Sequence, residues 1–153
     1  MDLRKIHLDS NERLTLKYAT SKAGESGKQT IITVESPEPP TPAIVEKIKR
    51  LRVYVGEILE FPAKSFEQIE VRGISFSWHE KTAATGVIFT ALRHLEKTDS
   101  PFVVNTPLKY DTSENERTQL SKDCKKLLEE LKSDVITWLQ SAEMQLNLFE
   151  RAV

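Results

Sequence analysis

Cysteine is nearly absent: Cys124 stands alone, so no disulfide can close within the chain and no thiolate cage for zinc is available. Histidine is sparse too. His7, His79 and His94 lie far apart and make no HExxH spacing, so the residue order writes no metal site. An excess of one charge is missing, with 22 basic residues against 23 acidic ones and a formal net charge of −1. Proteins that coat long nucleic acids usually carry a basic excess, because neutralising phosphates supplies most of that affinity. No apolar run approaches the length of a bilayer crossing, and no apolar stretch follows the charges of Met1 to Lys5. These absences lead us to expect a cytoplasmic protein without membrane partners. No serine sits in a G-x-S-x-G elbow, and the carboxylates form no recognisable pair. We therefore assign no catalytic residue, metal or cofactor and read the chain as a binding protein, not an enzyme.

What is present is ordinary for one globular domain spanning 1–153, with 39% hydrophobic and 29% charged residues. Leu14, Leu16 and Tyr18 alternate with polar residues, the period-2 mark of a strand with one buried face. Ile6 and Leu8 flank His7, and Asp9-Ser10-Asn11-Glu12 supplies turn chemistry, so 3–20 reads as a hairpin. A third strand runs through Ile31, Ile32 and Val34, and the prolines at 37, 39, 40 and 42 then end strand pairing. Thr41-Pro42 opens a helix whose apolar stripe is Ile44, Ile48, Leu51, Val55 and Ile58, stopping near Phe61-Pro62.

Three further strands follow. Ile69 and Val71 share one phase, while Ile74, Phe76 and Trp78 share the other, with Gly73 at the switch as a β-bulge requires. Val87, Phe89 and Ala91 mark the next strand, entered through a turn around Thr82 to Gly86. Thr98 to Pro101 is expected to turn the chain into Phe102, Val103 and Val104. Ser113 and Glu116 have capping-box spacing ahead of a stripe of Leu120, Cys124, Leu127, Leu131, Val135, Trp138, Ala142, Leu146 and Phe149. A continuous helix over 113–150 would be roughly 55 Å long, so part of it is expected to project, break or pack on a second copy. The fold class is therefore α+β: a largely antiparallel sheet of about six strands in the order β-β-β-α-β-β-β-α.

Ala23 to Lys28 resembles the phosphate-binding loop of heterotrimeric G-protein α subunits. The first glycine of that loop is replaced by Lys22 and the metal-binding hydroxyl by Gln29, and a strand follows where a helix must begin. A hairpin connection is the reading that fits. Basic residues crowd the first helix, and Lys47, Arg50, Arg72 and Arg93 are candidates for an anion surface, with Phe76 or Trp78 available to stack a base. The competing reading is a solvated helix face plus core aromatics, which the shared phase of Phe76, Trp78 and Ile74 favours.

Gln145-Leu146-Asn147-Leu148-Phe149 resembles the short peptides by which bacterial replication and repair proteins dock on the β sliding clamp. Those peptides read Gln-Leu-(Ser or Asp)-Leu-Phe, and four of the five positions match here, with Asn147 the departure. The resemblance implies a protein partner held by Gln145, Leu146, Leu148 and Phe149: the amide orients, and the apolar side chains fill a pocket. Leu146 and Phe149 also continue the helix stripe, so core packing competes with docking for them. The stretch Val71 to Phe76, Ala91-Leu92-Arg93 and Asn105-Thr106-Pro107, followed by a terminal helix, is similar to small proteins of phage and prophage early regions. That resemblance implies a viral setting in a host cytoplasm. The expectation is a phage-type accessory protein docking on the sliding clamp. Alternatives are a counter-defence protein that sequesters a nucleotide-like signal or blocks a host protein, and a single-strand binder.

Overall fold

A computed structural model describes residues 2–21, 29–36, 38–78 and 84–152, excluding the side chains of 21, 29 and 142–152. The alternation of Leu14, Leu16 and Tyr18 becomes β2 (Leu14–Ser21), antiparallel to β1 (Asp2–Leu8). Asp9 builds the turn between them: its carboxylate accepts the Asn11 and Arg13 backbone N–H groups at 2.8 and 2.9 Å. These bonds hold its carboxyl below the usual carboxylate range, the one from Arg13 being the largest cause. Glu12 completes the turn in the left-handed region, φ 57°. β3 (Gln29–Glu35) pairs with β2 from Thr15 opposite Glu35 to Ser21 opposite Gln29. The loop-like Ala23 to Lys28 lies outside the described residues, but a strand and not a helix follows it.

The stripe Ile44, Ile48, Leu51 and Val55 is fully buried, yet it belongs to two helices, α1 (Pro42–Arg50) and α2 (Arg52–Ile58), where the periodicity predicts one. The break is a 3-10 tightening: the Leu51 N–H is shared between the carbonyls of Lys47 and Ile48 at 3.3 and 3.2 Å. α2 ends in a Schellman arrangement. Phe61 N–H donates to the Gly56 carbonyl at 2.9 Å and Glu60 N–H to Glu57 at 3.1 Å, with Glu60 at φ 58°. A 3-10 segment, Ala63–Gln68, then leads back to the sheet.

β4 (Ile69–Trp78), β5 (Thr85–Leu95) and β6 (Thr98–Asn105) form a meander, and the short β7 (Lys109–Tyr110) returns to pair with β5. The sheet order is β3-β2-β1-β4-β5-β6. The bulge falls where the phase switch placed it. Val71 pairs with Ala91 and Gly73 with Thr90, so Arg72 is the extra residue, and Ile69, Val71, Ile74 and Phe76 are all buried.

Several expectations are corrected. Trp78 shares the phase of the core but sits at the end of β4, 56% exposed. Thr98 to Pro101 is strand, and the turn before it is the two residues Glu96 and Lys97. β6 lies at the sheet edge, so Phe102 and Val103 are exposed. Of the turn expected at Thr82 to Gly86, Thr85 and Gly86 are already strand, paired with Trp78 and Ser77, and residues 79–83 lie outside those described.

The terminal helix starts at Lys122, not Ser113: α3 is Lys122–Ala152. Ser113 pairs instead with the Thr118 hydroxyl at 2.7 Å and accepts from Asn115 N–H, and Asn115 caps a 3-10 turn, Glu116–Thr118. The helix start is signed by Ser121, whose Oγ accepts the Cys124 N–H at 3.2 Å. Leu120 is buried ahead of the helix, its N–H bonded to the Tyr110 carbonyl at 2.8 Å. The buried residues among the described side chains of α3 are Cys124, Leu127, Leu128, Leu131, Val135 and Leu139, whereas Trp138 is only half-buried. These and the helical stripe of α1 and α2 join the buried sheet residues in one core. The residues of β1 and β2 that alternate with the core, Lys5, His7, Thr15 and Lys17, lie on the opposite face of the sheet. Among the described residues no helix is long and apolar enough to cross a membrane.

Candidate functional site

A cleft of about 390 Å³ opens where the bulged end of β4 meets the β1–β2 turn and the junction of α1 with α2. The bulge turns Arg72 into it. Its guanidinium lies 2.8 Å from the Glu70 carboxylate and donates to the Leu8 carbonyl at 3.4 Å. The second oxygen of Glu70 is 3.0 Å from His94 Nε2 on β5. An ionised carboxylate only accepts, so Nε2 carries the proton and Nδ1 of a neutral ring is an acceptor. Arg72, Glu70 and His94 thus form a hydrogen-bonded line of three side chains along one wall. Among the described residues no serine, threonine or cysteine is hydrogen-bonded to His94, so no nucleophile completes the line.

The electrostatics of the cleft are mixed. Lys49, Arg52 and Arg72 face Asp9, Glu12, Glu67 and Glu70, three cations against four carboxylates. A site selecting phosphate by charge would not look like this.

The four basic residues singled out in the sequence are not brought together. Lys47 on α1 is paired with Asp134 on α3, tying the two helices. Arg50 lines a shallow groove beside Tyr54 and Leu127. Arg93 bonds Gln68 and the His94 carbonyl and lies 5.6 Å from the centre of the Phe61 ring, in a separate cleft between the 3-10 segment and the β5–β6 turn. Only Arg72 reaches the cleft described above. Phe76 is unavailable for stacking: it is buried, with the Lys132 ammonium 4.2 Å from its ring centre. Burial pushes that ammonium below the ordinary lysine range.

His7 and His94 occupy different places, and His79 lies outside the described residues. Among the described residues no three potential ligands come together for a metal ion. The His7 imidazole is pushed below the ordinary histidine value first by burial, then by the charges of Lys5 and Arg72, with Asp9 opposing. Cys124 is the inert thiol its place on the stripe suggests, its pKa pushed up to about 12, chiefly by burial.

The backbone of α3 is helical through Gln145, Leu146, Leu148 and Phe149, whose side chains lie outside those described. Leu139 is the last described buried residue of the helix, and Gln140 and Ser141 are exposed. Two features escaped the sequence reading. The Glu70–Arg72–His94 line depends on the bulge and on β4–β5 register, and the meeting of Lys5 with Lys17 depends on β1–β2 register. The chain matches no protein-family model, no curated protein and no solved structure.

Proposed function

We propose that this chain is a non-enzymatic accessory protein, of the kind encoded by phages, which docks on the bacterial β sliding clamp through Gln145, Leu146, Leu148 and Phe149. The observation that carries the reading is the segment's own sequence, four of whose five positions, Gln145, Leu146, Leu148 and Phe149, match the clamp-binding pattern. Upstream of the segment, α3 is packed on the domain core through Leu131, Val135 and Leu139. The domain core therefore has its helix anchored before the peptide starts, and the peptide is attached to a rigid base. Docking requires the last turns of α3 to open. Helix ends fray at little cost, since their final carbonyls have no partners within the helix. The amide of Gln145 then fixes direction, and Leu148 and Phe149 supply the buried contact area.

The test is capture by purified β clamp. Wild-type protein is retained, and Leu148→Ala/Phe149→Ala is lost by at least ~10-fold, the expected size for removing two anchor side chains. Equal retention of the two proteins, or no retention of either, overturns the reading.

A further inference from the structure

The face of the sheet turned away from the helices carries a concentration of positive charge that the near-neutral chain does not lead one to expect. Lys5 on β1 and Lys17 on β2 stand directly opposite each other in the antiparallel ladder. Facing residues in such a pair have Cβ atoms roughly 4.5–5.5 Å apart, and like charges there destabilise the ladder. Both side chains are exposed, and among the described residues neither has a carboxylate partner. The next pair along the same face is His7 with Thr15, and the β4 neighbours of Lys5 and His7 are Ser75 and Gly73.

The acids near this patch are engaged elsewhere or stand at its β3 edge. Glu70 is committed to Arg72 and His94, Asp9 is held by the turn, and Glu35 lies opposite Thr15 at the β3 side. His7 accordingly feels Lys5 and Arg72 more strongly than Asp9. Gly73 leaves the β4 edge of the patch without a side chain: a Cβ there would lie 3.6 Å from both His7 Nδ1 and the Thr90 side chain. The result is an open sheet face with two ammonium groups at one side and an imidazole and a hydroxyl beside them.

We infer that this open face binds the phosphate groups of a small polyphosphate ligand, with Lys5 and Lys17 pairing its charge and His7 and Thr15 donating hydrogen bonds. The chemistry favours phosphate because its several oxygens can take both lysines and neutral donors at once. It favours a small ligand over a polymer because the patch spans only two cross-strand pairs. No aromatic side chain stands on this face of β1 or β2 to stack bases along a strand. The bound anion removes the repulsion that the Lys5–Lys17 pair otherwise imposes. The site is independent of the end of α3.

The experiment is calorimetric titration of the full chain at low salt with inorganic pyrophosphate, with a nucleoside triphosphate and with a single-stranded oligothymidylate. Pyrophosphate and the triphosphate are expected to bind, and the His7 imidazole, followed by NMR, titrates at higher pH in their presence. Lys17→Glu should weaken pyrophosphate binding at least 10-fold while melting no lower than wild type, because an opposite-charge pair replaces the repulsive one. Lys126→Glu makes the same charge change on exposed α3 and should leave binding intact. Absence of pyrophosphate binding overturns the inference. So does equal weakening by both variants, unchanged affinity in Lys17→Glu, or steeply salt-dependent binding of the oligonucleotide alone.

Discussion

At the scale of single residues, Cys124 links burial to a measurable pH dependence. It lies on the buried stripe of α3 at 1% exposure, and its thiol is pushed from 9.0 up to about 12, first by burial and then by the charge of Glu57. The folded chain therefore holds this proton where the unfolded chain releases it. Below pH 9 the contribution to stability is whole, and as pH rises from 9 towards 12 the unfolded state gains by ionising and the fold loses ground. Cys124→Ala removes this linkage. Urea unfolding under reducing conditions across that range should give a shallower fall of stability with pH for the variant than for wild type. Parallel slopes would show that position 124 is ionised or solvated in the folded protein. The same burial makes the thiol unreactive at neutral pH, so labelling by thiol reagents should appear only with denaturant.

At the scale of elements, the contact between α2 and the 3-10 segment Ala63–Gln68 sets the level of the chain before it enters β4. Gly56 on α2 has no side chain because the Phe66 ring occupies the space: a Cβ there would lie 2.2 Å from Cε1 and 2.3 Å from Cδ1. In an open helix, glycine to alanine gains about 1 kcal/mol. Here, overpacking costs about 1–3 kcal/mol, so Gly56→Ala should be net destabilising by chemical denaturation. Adding Phe66→Leu to that variant should recover part of the loss. A Gly56→Ala protein as stable as wild type would mean that the ring moves aside freely.

The elements differ in how far they could be read. The strands were legible because Leu14, Leu16 and Tyr18, or Val87, Phe89 and Ala91, alternate against one buried face. The bulge was legible because Gly73 sits where the phase inverts. The start of α3 was not, since two serines have cap chemistry. Ser121 is the one with a hydrogen bond to the third helical residue, while Ser113 is engaged by Thr118. Exposure at Trp78, Phe102 and Val103 follows from strand ends and sheet order, which alternation alone does not encode. The candidate sites were less legible for the same reason. Lys5 meets Lys17, and Glu70 reaches Arg72 and His94, only through register between strands.

At the scale of the whole molecule, α3 is longer than the stretch its described buried positions account for. Its 31 residues give a helix about 46 Å long at the usual rise. The described buried positions from Cys124 to Leu139 span ~24 Å of that length. The clamp reading requires that the turns beyond Ser141 add little to the core. A protein truncated after Ser141 should therefore unfold cooperatively, with a stability within about 0.5 kcal/mol of the full chain, as for changes away from the core. It should also have lost capture by the β clamp. Comparing the two readouts separates docking from packing. A truncated chain less stable by several kcal/mol would place Leu146 and Phe149 in the core, leaving them no freedom to enter a partner's groove. A truncated chain that is equally stable and still captured would move the docking surface elsewhere on the domain.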